Sequence, residues 1–217
     1  MQTREQPARH DRTRIVTSLV IVVALGVLLQ ALASSVGNAE TGLATDLHLT
    51  MVARWMLAAS VVVVVLRVER QPWSSLGTRP LTRTSWIWAS VLGAAQMLQI
   101  LLPTLDSRTR STIEQAGPLD LLLVLVTAAV TEEIIFRGFL QERLTVLLDS
   151  RWVAGVLAGA AFLLVHVPGY GWSGALVGVG LGAVSLSLLY AVTRNTGMCI
   201  LVHLALNAPL IIASMVG

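Results

Sequence analysis

The stretch Thr131-Glu132-Glu133-Ile134-Ile135-Phe136-Arg137 puts two adjacent carboxylates and a guanidinium inside an apolar run that opens at Leu119. A charge near the centre of a bilayer costs at least ~2.5–3.5 kcal/mol even on lenient insertion scales, so ionisable groups in such runs are functional candidates by default. Two more polar sets recur downstream in apolar runs: His166, four residues after Phe162, and His203 with Asn207. Glu133 and Arg137 stand at i and i+4 of a helix and can pair on one face. Glu132 is turned ~100° away from that face. The spacing therefore predicts a structural Glu133–Arg137 pair and leaves Glu132 for chemistry. A carboxylate with no cationic partner in an apolar site is suited to act as a general base near neutral pH. His203 and Asn207 also share a helix face, and an imidazole with an amide can donate hydrogen bonds to a developing oxyanion. Phe162 can pack against His166.

One carboxylate, two histidines and an amide suffice to hydrolyse an amide bond with activated water. Glu132, His166 and His203 would also serve as zinc ligands, with water in the fourth position. Neither His-Glu-x-x-His nor any ligand pair at i, i+4 is present, so zinc is open and not indicated. Plainer readings stand beside these. A buried His is commonly a hydrogen-bonded structural residue, and a Glu–Arg pair can simply clamp two helices. Acids and histidines in membrane spans also form proton relays in transporters. Four polar elements in three successive apolar runs favour a shared site.

The elements that must hold these residues are membrane helices. Only 12% of the 217 residues are charged and 55% are hydrophobic, with mean hydropathy +0.75. Soluble domains carry about 25% charged residues. Apolar runs of ~20 residues span a bilayer as helix. Seven runs qualify: residues 15–36, 48–68, 86–105, 118–140, 152–168, 172–192 and 197–215. The alternation of ~10-residue segments that marks membrane β-barrels is absent. The predicted fold is an all-α polytopic bundle, with a cytoplasmic tail over 1–14, N-terminal spans over 15–117 and a catalytic core over 118–215.

Net charge is +3 and every basic residue other than histidine is Arg. Arg4, Arg9, Arg12, Arg14, Arg67, Arg70, Arg79, Arg83, Arg143, Arg151 and Arg194 fall on one side of the seven-span arrangement, and Arg108 and Arg110 on the other. The positive-inside rule then puts the N-terminus in the cytoplasm and the C-terminus outside. The arginines are spread over loops as topology signals, which argues against a nucleic-acid partner. Arg54, just inside the second run, reads as an arginine that snorkels to the outer interface. The single cysteine, Cys199, permits no disulfide framework. Residues 12–33 have a signal-peptide-like pattern, but the apolar run is longer than the usual ~7–15 residues, and an uncleaved helix is expected. Gly155 and Gly159 in the fifth run, and Gly174, Gly178 and Gly182 in the sixth, predict close backbone packing. Gly178-Val179-Gly180-Leu181-Gly182 follows no strand and is not read as a nucleotide loop.

Glu132-Glu133-x-x-x-Arg137, Phe162-x-x-x-His166 and His203-x-x-x-Asn207 together resemble the three signatures of the CPBP family, the CAAX prenyl endopeptidases and bacteriocin-processing intramembrane proteases. Arg137-Gly138-Phe139 and the approach Tyr190 to Gly197 are also similar to that family. The resemblance covers residues 118–210. It implies a bacterial inner-membrane endopeptidase acting on a membrane-associated peptide or protein within the lipid bilayer. By it, Glu132 activates water with help from His166, His203 and Asn207 hold the oxyanion, and Arg137 and Phe162 support them. The family is described both as metal-dependent and as metal-independent, so the cofactor is none or zinc. The alternatives are a non-catalytic immunity or interaction protein on the same scaffold, and a proton-coupled transporter. Counting along the predicted spans leaves Glu132 and His166 at depths that differ by roughly 10 Å.

Overall fold

The computed structural model describes residues 9–36, 43–100 and 117–216, and among these the chain is helical with no strand. In chain order the helices are α1 (Arg9–Val36), α2 (Leu43–Val64), α3 (Arg83–Ile100), α4 (Pro118–Glu132), α5 (Glu142–Leu148), α6 (Arg151–Gly174), α7 (Gly180–Thr193) and α8 (Thr196–Val216). Wider π-helical turns continue α2 over Val65–Glu69, join α4 to α5 over Glu133–Gln141, and precede α7 over Ala175–Val179. The predicted runs map onto these helices, although α1 already begins at Arg9 inside the expected tail. Residues 101–105 of the third run, together with Arg108 and Arg110, lie outside the described residues.

Local chemistry sets the boundaries. Pro118 opens α4 at a position where its missing N–H costs nothing. Asp149 in the left-handed region (φ 49°) ends α5, and the Ser150 hydroxyl accepts the Val153 N–H to start α6. Arg194 (φ 51°) closes α7, its N–H donating to the Tyr190 carbonyl. Between α6 and α7 the chain turns at Gly171 (φ 68°), so residues 151–193 form a packed antiparallel hairpin. There Gly159 lies where an added Cβ would stand 3.1 Å from Ser187 Oγ, so the expected close approach is present. Gly178 does not share in it. It falls within the π turn beyond the Gly171 bend, and open space lies beside its Cα.

Three stretches among the described residues are long and apolar enough to cross a membrane: Arg12–Val36, Thr45–Glu69 and Arg151–Thr193, the last bent at Gly171. Their outward faces are apolar. Val20, Val23 and Val27 of α1 and Val156 of α6 are all more than 60% exposed, as lipid-facing residues are. The chain is an integral membrane protein. Inside, Val22, Val61, Val65, Leu76 and Phe139 join α1 and α2 to the π-helical turn. Leu186, Leu189, Met198, Cys199 and Val202 join α7 to α8.

One end of the bundle is tied by charge. Glu69 and Arg143, each under 5% exposed, pair at 2.5 Å, and Arg143 also donates to the Ser75 carbonyl. Glu142 accepts from both Tyr190 and Arg194. Gly138 lets the backbone between α2 and α3 come in close, because a Cβ there would sit 2.8 Å from the Leu76 carbonyl oxygen. The opposite end carries His48 against Asp120 at 3.2 Å. α2 and α4–α5 therefore run parallel, with matching ends.

Candidate active site

The two glutamates close α4 and open the π-helical turn, and they face different neighbours. Glu133 is fully buried. Its Oε1 accepts from Arg137 Nη1 at 3.0 Å and from His203 Nδ1 at 2.8 Å. Arg137, also fully buried, lies 4.4 Å from the centre of the Phe162 ring and donates to the Ala183 carbonyl. The predicted Glu133–Arg137 pair is thus present, and His203 joins it. Single π-type turns concentrate at functional sites. Here the turn carries Glu133, Arg137 and Gln141 inward, all fully buried.

Glu132 faces α2 and α6. Its Oε1 lies 2.5 Å from Arg54 Nη1 and 4.0 Å from His166 Nε2. The expectation that Glu132 has no cationic partner is therefore overturned, and so is the reading of Arg54 as a snorkelling residue. The reason is the facing of the helix: Arg54, about three turns into α2, is turned toward α4 and reaches Glu132. An arginine inside an apolar run was the available signal; its nearness to the run's apparent edge hid it.

His166 is held by Phe162 in two ways. Its Nδ1–H donates to the Phe162 carbonyl at 2.7 Å, and the two rings are 4.5 Å apart. With the proton on Nδ1, the neutral ring keeps Nε2, the nitrogen nearest Glu132, as its basic site. The 4.0 Å gap is too long for a direct hydrogen bond, yet one water can touch both atoms. The expected depth mismatch between Glu132 and His166 vanishes because α5 continues the helix to Leu148. Counted from the shared Asp149–Ser150 turn, Glu132 stands ~26 Å and His166 ~25 Å along their arms.

His203 donates from Nδ1 to Glu133, so its Nε2 is the remaining position on the ring. Asn207 Nδ2 donates to the Leu125 carbonyl at 3.2 Å, which fastens α8 to α4 short of the carboxylates. The structure thus brings Glu132, His166 and Arg54 together, sets Glu133, His203 and Arg137 beside them, and holds Asn207 on α4 by way of Leu125.

Of the residues expected for zinc, His166 and His203 each commit Nδ1 to an acceptor and keep Nε2 for a ligand bond, while the Arg54 guanidinium holds Glu132 Oε1. Among the described residues no three His, Cys, Asp or Glu side chains are grouped to hold a metal ion.

Among the described helices a carboxylate and an imidazole thus stand across a water-sized gap, an arrangement that general acid–base chemistry can use. Residues 114–209 match the family model of Rce1-like type II CAAX prenyl endopeptidases, the family that the three signatures resemble. The match includes Glu132, Glu133, Arg137, Phe162, His166, His203 and Asn207, and leaves out Arg54 and helices α1 to α3. No curated protein and no solved structure matches the chain.

Proposed function

We propose that the protein is an intramembrane endopeptidase that hydrolyses a peptide bond in a membrane-associated peptide or protein. The observation that carries this is the approach of Glu132 to His166 within the residues that match the Rce1-like family model. A water between the two gives its proton to Glu132, with His166 Nε2 orienting it. The oxygen attacks the peptide carbonyl carbon, and the carbonyl π electrons move onto its oxygen. His203, with Nδ1–H committed to Glu133, donates from Nε2 when the ring carries its second proton, sharing the Glu133 carboxylate with Arg137. The second hydrogen of the Asn207 amide is a further donor. Collapse breaks the carbon–nitrogen bond, and the proton held by Glu132 passes to the departing amine.

The proposed arrangement is seven spans in a bacterial inner membrane, N-terminus in the cytoplasm and C-terminus outside. The gathering of Arg79, Arg143 and Arg194 at one end of the bundle supports it. A reporter active only after export should work when fused after Gly217, and a reporter active only in the cytoplasm should not; the reverse pattern overturns the seven-span count. The activity is tested by incubating purified protein in lipid with membrane-anchored peptides. Wild type should cut where Glu132→Gln does not. Cutting by both would remove Glu132 from the chemistry, and cutting by neither would remove the peptidase reading.

A further inference from the structure

Arg54 and Arg137 each pair with one of the adjacent glutamates, but they are built differently. Arg137 is fully enclosed, stacked on Phe162 and bonded to both Glu133 and the Ala183 carbonyl. That is how a structural counter-ion is held. The Arg54 side chain is 36% exposed, and among the described residues Glu132 alone holds it, through a single N–H. A guanidinium offers five donors in a planar fork suited to a carboxylate. Left this open inside an apolar span, it is a receptor with one prong engaged.

Glu132 Oε1 cannot easily serve the Arg54 guanidinium and a reacting water at once. While Arg54 occupies Oε1, the oxygen closest to His166 is not free to take a proton. Resting on the endopeptidase reading, we infer that Arg54 is a substrate-recognising residue that binds a carboxylate of the peptide to be cut. Substrate then exchanges the Arg54–Glu132 ion pair for an Arg54–substrate pair and releases Glu132 to act on water. The exchange keeps one ion pair on Arg54 and leaves the Glu132 carboxylate without a cation, ready to take the proton of water.

The geometry bounds where that carboxylate lies. A water hydrogen bond spans ~2.8 Å, and an attacking oxygen stands ~3–3.5 Å from the carbonyl. The carbonyl under attack is therefore within roughly 9 Å of the guanidinium, given the 2.5 Å between Arg54 and Glu132. An extended peptide advances ~3.3–3.6 Å per residue, so the carboxylate falls within about three residues of the cut bond. Both a chain-terminal carboxylate and an acidic side chain meet this requirement.

The test compares three versions of one membrane-anchored, internally quenched peptide, cut by the purified full-length protein in lipid vesicles. The first ends in a free acid within three residues of the cut, the second in an amide, and the third in an amide with Asp at the same distance. Wild type should favour the free acid over the amide in kcat/KM by at least ~10-fold, as expected for hydrogen bonds to a charged group. Rescue by Asp would identify side-chain carboxylates as ligands too, and no rescue would restrict recognition to the terminus. In Arg54→Gln the acid-to-amide ratio should fall to near one, and Arg54→Lys should retain part of it. A merely structural role would lower both rates and leave the ratio alone. Equal cutting of acid and amide by wild type, or an unchanged ratio in Arg54→Gln, overturns the inference while leaving the peptidase reading intact. Failure of wild type to cut any version defeats both. If Arg54→Gln does not fold, the ratios of wild type and Arg54→Lys still decide.

Discussion

Glu132 and Glu133 are neighbours in the chain and opposites in their surroundings. Glu133 is sealed in, with Arg137 and His203 on one oxygen and Phe162 stacked on the arginine. Glu132 sits between Arg54 of α2 and His166 of α6, beside a half-open guanidinium and a histidine it does not quite touch. In our reading, two identical side chains divide rigidity from reactivity because a helix turns each of them toward a different partner helix. An enclosed ion pair can hold a bundle together; a loosely held one is free to change partners.

Swapping the two carboxylates for amides should separate them most sharply. In our reading Glu132→Gln lowers the cleavage rate by ~10²–10⁴, the range for loss of a general base, and leaves the melting temperature in detergent nearly unchanged. Glu133→Gln should instead cost roughly 3–5 kcal/mol of stability, because it strands the Arg137 charge in a dry site. Thermal unfolding and turnover measured on both variants check this. An inactive but fully stable Glu133→Gln beside an active Glu132→Gln would reverse the two roles.

Asn207→Ala tests the oxyanion side of the site. The expected outcome is a turnover lower by ~10²–10³ with little change in substrate affinity. A change confined to KM would assign Asn207 to binding, or to its anchor on Leu125. The smallest effect is expected away from both glutamates. Gly138→Ala would press a methyl group against the Leu76 carbonyl and should cost ~1–3 kcal/mol by overpacking. Its melting point should fall while the rate per folded molecule holds, and an unchanged melting point would show that the segment before α3 yields freely.

Much of this was legible in the chain. The low charge and the apolar runs foretold a helical membrane protein, and i, i+4 spacing foretold the Glu133–Arg137 pair and the contact of Phe162 with His166. Two kinds of information were not. Helix ends depend on caps and polar extensions that hydropathy does not register, so the depths of Glu132 and His166 were misjudged. Partners from distant helices are invisible to local spacing, so neither Arg54 on Glu132 nor His203 on Glu133 could be read. Nor could the buried Glu69–Arg143 pair, whose members are 74 residues apart. Glu69 and Arg143 each looked ordinary for their own segments.

The Asp149–Ser150 turn makes α4–α5 and α6 into a pair of dividers hinged at one end, with Glu132 and His166 as the points. Opening or closing such a tool hardly alters the level of its tips; lengthening one leg does. A single residue inserted anywhere between Glu133 and Leu148 would lift Glu132 by ~1.5 Å and swing it ~100° around its axis, breaking the pairing without touching either side chain. The two arms can drift in sequence, but their lengths are tied to one another.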